Sequence, residues 1–63
     1  MKIADPLFPN YQIDVQGTVE FNGILFYKVW RRHPGDMHFV CSNCRYEFFA
    51  EMDAKKHETC DGA

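Results

Sequence analysis

Three thiols and one imidazole stand at Cys41, Cys44, His57 and Cys60, in the pattern Cys-x2-Cys-x12-His-x2-Cys. Zinc takes four soft or borderline donors in a tetrahedron, with thiolate sulfur ~2.3 Å and imidazole nitrogen ~2.0 Å from the ion. Two cysteines separated by two residues hold a metal from one tight turn. A histidine and a cysteine about one helical turn apart close the tetrahedron from one face of a helix. All three cysteines of the chain belong to this set, and an odd number cannot make a closed disulfide framework. The expected cofactor is one structural Zn2+ held by these four residues.

A shell of four protein ligands leaves no open position for a catalytic water. His33, His38 and the scattered carboxylates form no nucleophile–base arrangement, and no glycine-rich phosphate loop is present. A non-enzymatic chain without a small-molecule substrate is expected.

A chain of 63 residues supports one small domain. Cores of that size are marginal and usually need a staple. Zinc binding supplies one, contributing on the order of 10 kcal/mol in zinc-finger peptides and coupling to their folding. The start, MKIADPLFPN, lacks the apolar run of a secretory signal. No segment approaches the roughly 18 apolar residues of a membrane span. Unpaired thiols without a signal imply an intracellular, cytoplasmic setting.

The elements that must position the ligands follow from turn signals. Residues 1–10 read as an extended lead-in, since Pro6 and Pro9 forbid regular helix, with Leu7 and Phe8 able to tuck against the body. Residues 11–37 read as a β-hairpin extension around Asn22-Gly23, a dipeptide that tolerates the two positive φ angles of a type I′ turn. That turn pairs Phe21 with Ile24, Val19 with Phe26 and Val15 with Trp30. A second turn at His33-Pro34-Gly35-Asp36 then pairs Trp30 with Phe39 and Arg31 with His38. Val15, Val19, Phe26, Trp30 and Phe39 share one apolar face in this register. After the knuckle, residues 45–48 form a short extended return, and 49–59 is rich in helix formers but lacks a capping residue at its start. The expected fold is a small α+β zinc-stabilised domain: a three-stranded antiparallel meander, a zinc knuckle and one C-terminal helix. Val19, Phe26, Trp30 and Phe39 should pack on that helix.

Residues 38–60 resemble a ββα zinc finger of the C2H2 superfamily, in a Cys-Cys-His-Cys variant. Such fingers carry an aromatic two residues before the first cysteine, here Phe39, and a Phe four residues after the second, here Phe48. Two positions depart. Ala54 stands where those fingers carry leucine, and Cys60 replaces the last histidine at a tighter spacing. The chain is also similar, more distantly, to Cys-Cys-His-Cys fingers that bind ubiquitin, which place the histidine one residue earlier. The resemblance implies that this geometry can serve protein recognition.

Composition favours protein over nucleic acid. The formal charge is −2, and a +2 ion against three thiolate charges moves it to −3. Alignment with DNA-reading fingers puts Ala50, Asp53 and Lys56 at the base-contacting positions, where alanine offers no hydrogen bond and Asp53 would repel phosphate. Ten aromatic rings exceed what one small core readily encloses, leaving some for a partner. The favoured function is a zinc-stabilised protein–protein interaction module, a small adaptor or inhibitor of a larger protein. Leu25, Tyr27, Val29 and Arg31 on the sheet's second face, with Tyr46, would form its contact surface. The alternative is a nucleic-acid-binding regulator using a basic edge of Arg31, Arg32, Arg45, Lys55 and Lys56.

Overall fold

The computed structural model describes residues 1–31 and 35–60. Five strands, β1 (Lys2–Ala4), β2 (Gln12–Phe21), β3 (Ile24–Trp30), β4 (Met37–Cys41) and β5 (Glu47–Phe48), precede one helix, α1 (Glu51–Lys55). The strands form one antiparallel sheet in the order β1-β2-β3-β4-β5. Among the described residues the meander therefore has five strands rather than three. The lead-in contributes β1, whose Ile3 pairs with Ile13, and the return after the knuckle contributes β5.

Asn22 and Gly23 adopt φ of 55° and 76°, the two positive angles a type I′ turn requires. Phe21 pairs with Ile24 and Val19 with Phe26, as the turn predicts. Three pairs further on the register slips. Gly17 faces Lys28, but Val15 faces Val29 rather than Trp30, so Gln16 is the extra residue of a β-bulge. A one-residue slip moves every side chain beyond it to the opposite face. Val15 consequently leaves the helix side of the sheet.

The β3–β4 register is also displaced, by two residues. Lys28 faces Phe39, Trp30 faces Met37, and Val29 faces His38. A shift of two keeps each side chain on its expected face, so Phe39 still accompanies Phe26. The predicted turn at 33–36 begins outside the described residues; Gly35 and Asp36 follow, and the Arg31 N–H donates to the Asp36 carbonyl over 3.3 Å.

Two cores result, one on each face. Phe26, Phe39, Cys41 and Ala54 are buried together, with Val19, Phe21, Ile24, Met37 and Phe48 packed around them. Ile3, Val29 and Val40 make the second, flanked by Ile13, Val15 and Tyr27. The bulge creates this second core by delivering Val15 to Val29. Trp30 belongs to neither: it is half-buried beside Gln12, Ile13, Asp14 and Gln16, and does not pack on the helix as expected. Leu7 and Phe8 remain exposed, and Ile3 fills the place foreseen for them.

The helix is shorter than the composition of 49–59 suggests. Ala50, at its start, has no side chain that can accept from the free N–H groups of the first turn. Phe49 is drawn away to stack on His38. At the other end, Lys56 N–H bonds to Asp53 and His57 N–H to Ala54, both over 3.1 Å, tightening the last turn. Ala54 is fully buried, and its small side chain admits the Phe26 and Phe39 rings to the helix.

Candidate metal centre

The ligating atoms of Cys41, Cys44, His57 and Cys60 all lie within 4.8 Å of one another. Cys41 Sγ is 3.4 Å from Cys60 Sγ, while His57 Nε2 is 3.3 Å from Cys60 Sγ and 3.7 Å from Cys44 Sγ. The edges of an ideal zinc tetrahedron with these donors are ~3.8 Å between sulfurs and ~3.5 Å between sulfur and nitrogen. The four residues can hold one metal ion. Three sulfurs and one imidazole suit a soft or borderline cation over calcium or magnesium, which prefer oxygen.

Cys41, the knuckle that carries Cys44, and His57 are each placed by a different local device. Cys41 ends β4, fully buried, where Phe26 faces it across the ladder. The knuckle folds on itself: the Arg45 N–H donates to the Cys41 carbonyl at 2.9 Å and the Cys41 N–H to the Tyr46 carbonyl at 3.0 Å. Closing that turn puts Arg45 at φ 66°, a left-handed conformation unusual for a residue with a side chain. The Ser42 N–H donates to the Leu25 carbonyl at 3.0 Å, which fixes the knuckle to β3. His57 is clamped by rings, with its centroid 5.0 Å from Phe48 and 5.9 Å from Phe26. Its Nε2 faces the thiols as a result. Phe48 therefore serves the site as well as the core.

The electrostatics distinguish the thiols. Burial would raise Cys41, but N–H groups of Cys44 and Asn43 directed at its sulfur, aided by the Cys60 and Cys44 thiols, outweigh it and lower the group to about 6. Cys44 moves up, through burial first and then through its neighbours Cys41 and Cys60. Even without an ion, the knuckle favours a thiolate at Cys41, and thiolate is the form that binds metal.

His38 stands apart from these four. It is buried on the second face, its Nδ1 2.7 Å from Glu47 Oε2 and its ring stacked on Phe49 at 4.5 Å. Glu47 also accepts from Arg31 Nε at 2.8 Å and from Arg31 Nη2. Arg31 in turn donates to Asp5, Nη1 to Oδ2 at 2.5 Å and Nη2 to Oδ1 at 2.7 Å. Asp5 Oδ1 receives the Leu7 and Phe8 amides as well, at 2.8 and 3.2 Å. The chain Asp5–Arg31–Glu47–His38 thus joins the loop after β1 to β3, β4 and β5.

These contacts revise the expected partner surface. Val29 is fully buried in the second core and cannot meet a partner. Arg31 is committed to two carboxylates. Tyr27 is half-buried in the second core, with the Arg45 guanidinium 5.3 Å over its ring. Leu25 and Tyr46 remain exposed. The expected basic edge is also dispersed. Lys55 pairs with Glu51 at 3.0 Å and lies over the Phe21 ring, Lys56 is exposed, and Arg32 lies outside the described residues.

Asp5, Glu47 and Asn22 are important here and were not singled out from the sequence. Glu47 and Asp5 look like surface carboxylates until the register places both beside Arg31. Asn22 carried a turn signal only; its amide also reaches the end of α1. Comparison of the chain with protein-family models, curated proteins and solved structures returned no match.

Proposed function

We propose that Cys41, Cys44, His57 and Cys60 bind one structural Zn2+, and that the folded chain is a non-catalytic protein–protein interaction module. In this reading residues 38–60 are a Cys-Cys-His-Cys variant of the ββα finger, working in a reducing, intracellular setting. The observation that carries the interaction is a run of exposed apolar side chains beside the metal centre. Tyr46, Phe49 and Met52 are 63, 62 and 69 % exposed. Tyr46 and Phe49 line a depression with Phe48, Asp53 and Lys56, and the adjoining one with Leu7, Pro6 and Arg45. Rings held on a rigid scaffold bury much area at little entropic cost, which is why interfaces favour them. The contact surface thereby keeps Tyr46 of the expected set and moves from Leu25, Tyr27, Val29 and Arg31 to Leu7 and Phe49.

Nucleic-acid binding is the weaker reading, because the cations are spread or paired and Ala50, Asp53 and Lys56 make a poor reading surface. Two measurements test the proposal together. Elemental analysis should find one zinc per chain, and chelation should unfold α1 and the β4–β5 pair. Affinity capture from host extract should retain a protein that Tyr46→Ala and Leu7→Ala variants lose while keeping their zinc. Salt-sensitive retention on DNA or RNA, lost with Lys56→Ala, would reverse it.

A further inference from the structure

We propose that Cys41 and Cys60 are an oxidisable pair whose disulfide replaces the metal as the staple between β4 and the segment after α1. The inference rests on the reading that the four residues bind zinc. Their sulfurs are 3.4 Å apart, against ~2.05 Å in a disulfide, so a small shift closes the bond. The two cysteines differ in access and in freedom to move. Cys41 is fully buried in β4. Cys60 lies outside any strand or helix and lines an open depression with Gly23, Leu25, Ser42, Asn43 and Thr59. A small oxidant therefore reaches Cys60 before Cys41, and Cys41, 3.4 Å away, is the sulfur positioned to resolve it. A bond between Cys41 and Cys44 would have to form inside a turn whose backbone is pinned by the Arg45-to-Cys41 and Cys41-to-Tyr46 hydrogen bonds.

With a peroxide as oxidant the chemistry balances. The Cys60 thiolate attacks one peroxide oxygen; the S–O bond forms, the O–O bond breaks and hydroxide leaves. The Cys41 thiolate then attacks the Cys60 sulfur; the S–S bond forms, the S–O bond breaks and a second hydroxide leaves. Two protons from solvent convert both leaving groups to water, and the two thiolates have given two electrons to the peroxide. Cys44 and His57 alone no longer make a four-ligand shell, so the metal is released. The new bond spans the same two segments, so the fold keeps a cross-link.

The test treats the zinc-loaded chain with limiting hydrogen peroxide, follows metal release with a chromogenic chelator and maps disulfides by mass spectrometry after alkylation of free thiols. The expected result is a Cys41–Cys60 disulfide, alkylated Cys44 and one zinc released per disulfide. Amide exchange in β4, β5 and α1 should stay slow in the oxidised, metal-free chain and become fast in the reduced, metal-free chain. A thiol reductant should restore zinc binding. A Cys41–Cys44 or Cys44–Cys60 linkage, a sulfinate without a disulfide, or a disulfide with zinc retained overturns the proposal. A reduced chain that takes up no zinc overturns the metal reading instead, and mapping the same chain still decides whether Cys41 and Cys60 pair.

Discussion

The side-chain amide of Asn22, at the tip of the β2–β3 turn, donates to the Lys55 carbonyl at 2.5 Å and to the His57 carbonyl at 3.3 Å. One residue thus shapes the hairpin, through its positive φ, and closes the end of α1, just before His57 of the candidate metal centre. The last carbonyls of a helix lack intrahelical donors, so an outside donor there is stabilising. The hairpin is consequently part of the support of the candidate metal centre and not an appendage to it.

Asn22→Gly keeps the turn and removes the donor, whereas Asn22→Ala loses both. Loss of the hydrogen bonds should cost about 1–2 kcal/mol, and the alanine variant should lose more through its strained positive φ. Denaturant midpoints of the zinc-loaded proteins should rank wild type above Asn22→Gly above Asn22→Ala. Zinc affinity should fall in the same order, because His57 follows the carbonyl that Asn22 holds.

Arg31 neutralises two carboxylates, and the Glu47 side chain it serves is only 2 % exposed. Arg31→Met leaves that carboxylate buried with His38 as its remaining partner, and such a loss costs about 3–5 kcal/mol. The double variant Arg31→Met/Glu47→Leu should recover part of this, since no unpaired charge stays behind. Equal destabilisation in the single and double variants would show that packing around the Arg31 stem, not charge, dominates.

The same network sets a pH dependence. Hydrogen bonding to Arg31, opposed by burial and aided by the Leu7 and Phe8 amides, holds Asp5 below its ordinary 3.8. Burial pushes Glu47 up, but Arg31 and His38 outweigh it and hold it below 4.5. A lowered folded-state value means stability that is fully present above the unfolded value and lost as pH falls through the folded one. The stability difference between wild type and Asp5→Asn should be flat from pH 7 down to about 5 and shrink below 4. Taking the difference cancels any metal loss to acid that the two proteins share.

The convergence of Cys41, Cys44, His57 and Cys60 on a site that could hold a metal was legible because four residue types at fixed spacing imply their own geometry. The first hairpin pairs were legible too, since Asn22-Gly23 determines them locally. What failed was register at a distance. The one local sign of a bulge in Val15-Gln16-Gly17 is the glycine inside a strand pattern; polar and apolar residues otherwise alternate cleanly through it. Yet that one extra residue moved Val15 across the sheet and gave the molecule its second core. The helix was overdrawn for a related reason. The helix propensity of 49–59 is real, but stacking of Phe49 on His38 and the placement of His57 and Cys60 override it. Of the residues read as a partner surface, Val29 and Tyr27 pack in the second core that the new register builds, while Leu25 and Tyr46 are exposed.

Tyr27 and Tyr46 should therefore behave in opposite ways, although the sequence groups them together. Tyr27 packs against the second core and lies under the Arg45 guanidinium, so Tyr27→Ala should cost stability, about 2–4 kcal/mol for a large ring only half-buried. Tyr46 is exposed, its ring centroid 4.8 Å from Phe48, and Tyr46→Ala should shift the unfolding midpoint little. If a protein partner binds across Leu7, Tyr46 and Phe49, that quiet substitution should weaken capture at least tenfold, as central aromatics in interfaces do. Parallel measurement of melting and capture separates the two roles. A Tyr46→Ala protein that binds normally would move the contact elsewhere, with Leu25 the next exposed apolar side chain to test.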